Sequence, residues 1–196
     1  MLNWHTYFMG NLRPKIEKIL KEGCVVVMPT DTLYGIVGRA ENQDTVKRIY
    51  EIRKRNPKKP CIILIGDVSE LEKFSISLSE GQKKVLKELW STPTSVILDC
   101  LDDSLKYLHR GTKTLAFRLP KDEGLRNLLK QTGPLIAPSA NTEGYTPAKD
   151  ISEAKKYFAS KHTDLINLYV DGGTILGKAS KVVKLHKDGG VSILRE

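Results

Sequence analysis

Apolar residues recur at helical spacing through Leu12, Ile16, Ile19 and Leu20, and Gly23 stands where that stripe stops, so a helix is predicted from Leu12 to Glu22. Cys24 to Met28 follows without a polar break and reads as a buried strand. The helical spacing returns from Asn42 to Arg53 through Val46, Ile49, Tyr50 and Ile52, then yields to a loop broken by Pro57 and Pro60, and Cys61 to Ile65 is a second buried-type strand. Ser79 with Gln82 spells a capping box ahead of a helix through Val85, Leu86, Leu89 and Trp90. Strand-like runs at Ser95 to Leu98 and Thr114 to Leu119 precede a helix around Leu125 to Gln131 that Gly133 closes. Leu135 to Ala137 is a short apolar strand, Ser152 is placed to cap a helix ending at Phe158, and Leu165 to Val170 is strand-like. Lys181 to His186, Asp188-Gly189-Gly190 and Val191 to Leu194 read as a hairpin. Helices and strands alternate too irregularly for a plain doubly wound fold, so the expected class is α/β with a mixed parallel and antiparallel sheet.

Against that pattern, Met28 to Ala40 (MPTDTLYGIVGRA) turns abruptly small, polar and glycine-punctuated. A strand ending in Pro29, Thr30, Asp31 and Thr32 delivers hydroxyls and a carboxylate at the end where open α/β sheets bind ligands. An ordinary capped strand-to-helix turn is the alternative. Gly35 and Gly38 allow close backbone approach or positive φ, and Tyr34 offers an apolar face with a polar tip. Ser139 and Asn141 follow the short strand at Leu135 and repeat the theme, either as helix caps or as nucleotide contacts. Arg53, Lys54, Arg55, Lys58 and Lys59 crowd a helix end, where the dipole welcomes cations, and the prolines stiffen them into a suitable clamp for a polyphosphate. Arg118 points either to solvent or into a cleft toward an anion. Gly172 to Ala179 nearly spells a phosphate-cradling loop, but Ala179 lacks the metal-binding hydroxyl and strand-like residues follow, so a β-turn is the better reading, with Lys178 and Ser180 still free to touch a ligand.

A length of 196 residues suits one domain spanning 1–196, and 40% hydrophobic with 28% charged residues is ordinary for a globular chain. Neither a signal peptide nor an apolar run of about 18 residues is present, so no membrane role and a cytoplasmic location are expected. Cys24, Cys61 and Cys100 are far apart, as are the four histidines, which argues for reduced core thiols and against a structural zinc. The net charge of +9 suggests an anionic partner, although lysine-rich solvated helix faces give the same excess. With no Ser-His-Asp spacing, paired carboxylates or activated cysteine, catalysis would work by orientation and charge neutralisation.

Together, PTDTLYG at 29–35, IYEIRKRNPKKP at 49–60, LAFRLP at 115–120, APSANTEG at 137–144 and LR at 194–195 resemble the YrdC-like family of L-threonylcarbamoyladenylate synthases, in order and spacing over nearly the whole chain. The resemblance implies the single-domain form, a twisted mixed sheet with helices around a large basic cleft, and a nucleotidyltransferase that joins L-threonine, bicarbonate and ATP into threonylcarbamoyl-AMP and pyrophosphate for tRNA modification. By matching position, Thr32, Arg118 and Ser139 would bind threonine, while Arg53, Arg55, Lys59, Thr114, Asn141, Thr146, Ser180 and Arg195 would bind ATP. Mg2+ would be held by the ATP phosphates, with no protein metal site and no residue acting as acid or base. Contact with tRNA and a complex with a downstream transferase are further implied. Departures from the family pattern stand at Arg53, Leu64, Ser91, Thr92 and Lys181. An RNA-binding module without synthase activity, or an adenylate-forming enzyme with another substrate, is the alternative.

Overall fold

The computed structural model describes residues 12–158 and 165–196. In chain order the elements are α1 (Arg13–Lys21), β1 (Val26–Pro29), β2 (Tyr34–Arg39), α2 (Gln43–Arg53), β3 (Ile62–Leu64), a tighter helical segment (Val68–Phe74), α3 (Glu80–Leu89) and β4 (Thr94–Asp99). Then come α4 (Lys106–His109), β5 (Thr114–Arg118), α5 (Glu123–Thr132), β6 (Leu135–Ile136), α6 (Ile151–Phe158), β7 (Leu168–Tyr169), β8 (Lys181–Leu185) and β9 (Val191–Arg195). The strands form a nine-stranded sheet in the order β7-β1-β2-β6-β3-β5-β4-β8-β9. Three pairs, β1–β7, β3–β5 and β4–β8, are parallel and the rest antiparallel, which is the expected mixed class.

Both faces of β1 are covered, which explains why it lacks polar alternation. Val25 and Val27 join one apolar cluster with α2, while Val26 and Met28 join another with Ile16 and Leu20 of α1 and Leu125, Leu128 and Leu129 of α5. The capping box on α3 is formed in both directions. The Asn42 side chain accepts the Thr45 amide at 3.0 Å and starts α2. Asn42→Ala is therefore expected to lower stability by about 1 kcal/mol in chemical denaturation, since an alanine there leaves that amide without an intrahelical acceptor.

Several expectations are corrected. β2 was not anticipated: the polar stretch after β1 is a hairpin turn between two strands, not a strand-to-helix turn. Gly38 serves close approach rather than positive φ, because a Cβ there would overlap the Thr45 side chain of α2. Asp150, not Ser152, caps α6, its Oδ1 accepting the Glu153 amide at 2.9 Å. The strand expected at Leu165 to Val170 shrinks to Leu168–Tyr169, with the Asn167 side chain accepting the Val25 amide beside it. The β-turn expected at 172–179 is not formed: the Asp171 side chain accepts the Gly173 amide at 2.8 Å, and the stretch runs without turn or regular structure into β8.

Candidate functional site

The β1–β2 turn is closed by the Thr30 amide donating to the Leu33 carbonyl at 2.9 Å and braced by the Thr30 hydroxyl. Thr30 Oγ1 donates to the Leu33 carbonyl at 2.7 Å and accepts from the amides of Thr32 and Leu33 at 3.3 Å each. Thr32 Oγ1 lies 3.3 Å from it, so two hydroxyls share one corner of the molecule. Arg118 reaches that corner from the end of β5: its Nη2 donates to Asp31 Oδ1 at 2.7 Å and to Thr30 Oγ1 at 3.4 Å. The side chains of Arg118 and Asp31 are only 6% and 9% exposed. Burial raises the Asp31 carboxyl and lowers the Arg118 guanidinium even though their pairing opposes both changes, so desolvation is the stronger influence. Arg118 nevertheless remains a cation at physiological pH, and its Nε has no protein partner.

Arg53 is not the first cation of a solvated loop, as its sequence neighbours suggest, but the buried last residue of α2. Its Nε donates to the Asn141 carbonyl at 2.9 Å, and its Nη2 donates to Asn141 Oδ1 at 3.2 Å and Ser139 Oγ at 3.4 Å. Nη1 is buried without a partner, and burial, helped by Arg55, pushes this guanidinium down to about 10. Arg55 stiffens the following loop, donating to the carbonyls of Lys59 at 3.1 Å and Pro60 at 2.7 Å with its guanidinium 5.9 Å from the Tyr50 ring centre. Across the sheet, Ser180 Oγ is 2.8 Å from Ser95 Oγ, and Arg195 donates twice to the Ser180 carbonyl.

These groups surround one cleft of about 450 Å³. Thr32, Arg53, Arg55, Thr114, Arg118, Ser139, Ser180 and Arg195 line it. Lys59, Asn141 and Thr146 are not among its lining residues: Lys59 is exposed and paired with Glu143, Asn141 supports Arg53, and exposed Thr146 meets Tyr157. Lys178, kept as a ligand contact on sequence grounds, does not line it either. Thr112 also borders the cleft and was missed, although its position two residues before Thr114 at the start of a strand was a usable signal. The Asp31–Arg118 pair joins residues 87 apart, for which no local signal exists. A larger groove of about 920 Å³ beside α3 is lined chiefly by leucines, lysines and serines and contains none of the residues named as candidates. Among the described residues no group of three or more His, Cys, Asp and Glu gathers as for a metal ion, and no helix is long and apolar enough to cross a membrane.

The chain is 33% identical over 184 residues to the threonylcarbamoyl-AMP synthase of Bacillus subtilis, covering 89% of this chain and 52% of the relative. It is 30% identical over 185 residues to that of Pyrococcus abyssi, covering 89% and 53%. The chain thus spans about half the length of these curated relatives. Among solved structures, P. abyssi Sua5 complexed with L-threonine superposes with a TM-score of 0.81 at 27% identity, over 93% of this chain and 53% of that one. Escherichia coli YciO, at 24% identity, shares the fold with a TM-score of 0.76 over 94% and 88% of the two chains. The Sua5/YciO/YrdC family model, whose description reads "Telomere recombination", matches residues 18–196, and the chain belongs to that family.

Proposed function

We infer that this chain forms threonylcarbamoyl-AMP and pyrophosphate from L-threonine, bicarbonate and ATP. The observation that carries the reading is a pair of buried guanidinium groups on one cleft, Arg118 and Arg53, each keeping an N–H without a protein acceptor. Such donors ask for anions, and this reaction brings two together. The names of the B. subtilis and P. abyssi relatives and the threonine-bound P. abyssi structure support the same substrates.

In this reading the threonine carboxylate pairs with Arg118 beside the Thr30 and Thr32 hydroxyls, which leaves its amine free to combine with bicarbonate, releasing water and giving a carbamate. A carbamate oxygen then bonds to the α-phosphorus of ATP as the bond from that phosphorus to the bridging oxygen breaks, and pyrophosphate leaves with the electron pair. The nucleophile is already an anion, so no strong base is required of the protein. Its work is to hold two anions in line and neutralise them, through Arg53 and Arg55 on the phosphates and through Thr114, Ser180 and Arg195 around the nucleotide, with Ser139 on the threonine. The cleft offers hydroxyls rather than a carboxylate cage, which fits Mg2+ that arrives chelated by the triphosphate and keeps phosphate oxygens and water as ligands. When bound, that ion would neutralise charge on the leaving pyrophosphate. A separate transferase consuming the product on tRNA, and contact of this chain with tRNA, belong to the same proposal, supported by the net charge of +9.

The test is pyrophosphate release with ATP and Mg2+, with threonine and bicarbonate supplied together and then omitted singly. Release requiring both supports the proposal, and release indifferent to either overturns it. Arg55→Ala is expected to cut release by about 100-fold or more with an unchanged unfolding midpoint, since the half-buried side chain braces a surface loop rather than the core.

A further inference from the structure

The loop that would grip the triphosphate already holds an anion. Glu143, in the turn after Asn141, is fixed by its own backbone, whose amide donates to the Arg53 carbonyl at 2.9 Å at the end of α2. Its carboxylate accepts the Asn56 amide through Oε2 and the Lys59 ammonium through Oε1 at 3.1 Å. The Asn56 amide, Lys59 and, at longer range, Arg55 together hold the Glu143 carboxyl below the usual carboxylate range, so it is ionised at neutral pH. The loop itself is preformed: Asn56 accepts the Lys58 amide at 2.9 Å through its side chain and the Lys59 amide at 3.1 Å through its carbonyl. A backbone N–H and an ammonium converging on one oxyanion is the arrangement a phosphate seeks. Glu143 is a quarter exposed, so nothing in the core obliges it to sit there.

We propose that Glu143 is an intramolecular competitor for the terminal phosphates of ATP, displaced when the triphosphate binds and returning as pyrophosphate departs. The proposal rests on the triphosphate that Arg55 holds in the function above, with its terminal phosphates extending from the cleft to the Asn56 amide and the Lys59 ammonium. Swapping one anion for another lowers the net affinity for any ligand that needs the loop, and leaves ligands that do not reach it unaffected. Glu143 would thereby set a loose KM for ATP and speed the loss of pyrophosphate, while having no influence on the threonine end of the cleft. The contact is exposed and screened, so its effect is a modest multiple rather than orders of magnitude.

The experiment compares the full chain with its Glu143→Gln and Glu143→Ala variants, in nucleotide titrations by calorimetry as well as in turnover. Both variants are expected to bind ATP and pyrophosphate about three- to tenfold more tightly, to bind AMP as before, and to keep the wild-type KM for threonine. The gain should shrink in high salt. Unchanged or weaker ATP binding in both variants would overturn the proposal, as would equal tightening for AMP. Because binding is read without turnover, a chain that binds ATP in this way but makes no threonylcarbamoyl-AMP would sink the proposed reaction and leave Glu143 its role. A chain that binds no ATP in either form would overturn both.

Discussion

Arg118→Leu is expected to cost about 3–5 kcal/mol of stability and essentially all threonine-dependent pyrophosphate release. The guanidinium is the close cationic partner of a carboxylate that is itself almost inaccessible, and removing one member of a buried pair strands the other. Burial already raises the Asp31 carboxyl, and losing Arg118 removes the leading influence that holds it down. The sign of the pH dependence follows. A carboxyl raised in the folded state binds more protons there than in the unfolded chain, so stability falls as pH rises through the interval between the two values. The deficit of Arg118→Leu against wild type should therefore narrow in mild acid and be full at neutral pH. Adding Asp31→Leu should restore most of the stability, because two apolar groups replace an ion pair that was expensive to bury, without restoring turnover. Urea denaturation at two pH values with the pyrophosphate assay reads all of this, and turnover surviving in the double variant would remove Arg118 from the threonine site.

Gly177→Ala is expected to lower kcat/KM by about 100-fold while leaving the unfolding midpoint nearly unchanged. A Cβ at 177 would overlap the backbone carbonyl of Thr32, and a carbonyl has no rotamer through which to retreat. The hairpin that carries Thr32 is anchored by β1 and β2 in the core, whereas the stretch before β8 is exposed at Leu176 and irregular. The strain should move the weaker partner, taking Ala179 and Ser180 out of the cleft wall. Steady-state kinetics beside a thermal melt checks this; unaltered kinetics would mean that the segment yields without disturbing the wall.

What was legible beforehand divides along physical lines. The capping box at Ser79 and Gln82, the stripes of α2 and α5 and the β8–β9 hairpin are local features, written in residues that touch one another in the chain. β2 was not legible because Tyr34-Gly35-Ile36-Val37-Gly38 lies between two covered faces, so its pattern does not alternate, and its two glycines resemble loop punctuation. Arg53 looked like a surface cation because burial was decided by Ser139 and Asn141, brought to it by the fold from 86 and 88 residues away. Short motifs in register pointed to residues that mostly share one cleft. They did not indicate that Asp31 and Glu143 would occupy cationic groups nearby.

The strand order also bears on how the chain is made. The six inner strands, β1 to β6, all come from residues 26–136, while both flanks, β7 on one side and β8 with β9 on the other, come from residues 168–195. Synthesis from the N-terminus therefore completes the middle of the sheet first and leaves two raw edges waiting. Ser180 and Arg195 arrive with the strands that seal one of those edges, so a nascent chain has no finished nucleotide pocket to fill until its sheet has closed against wrong neighbours.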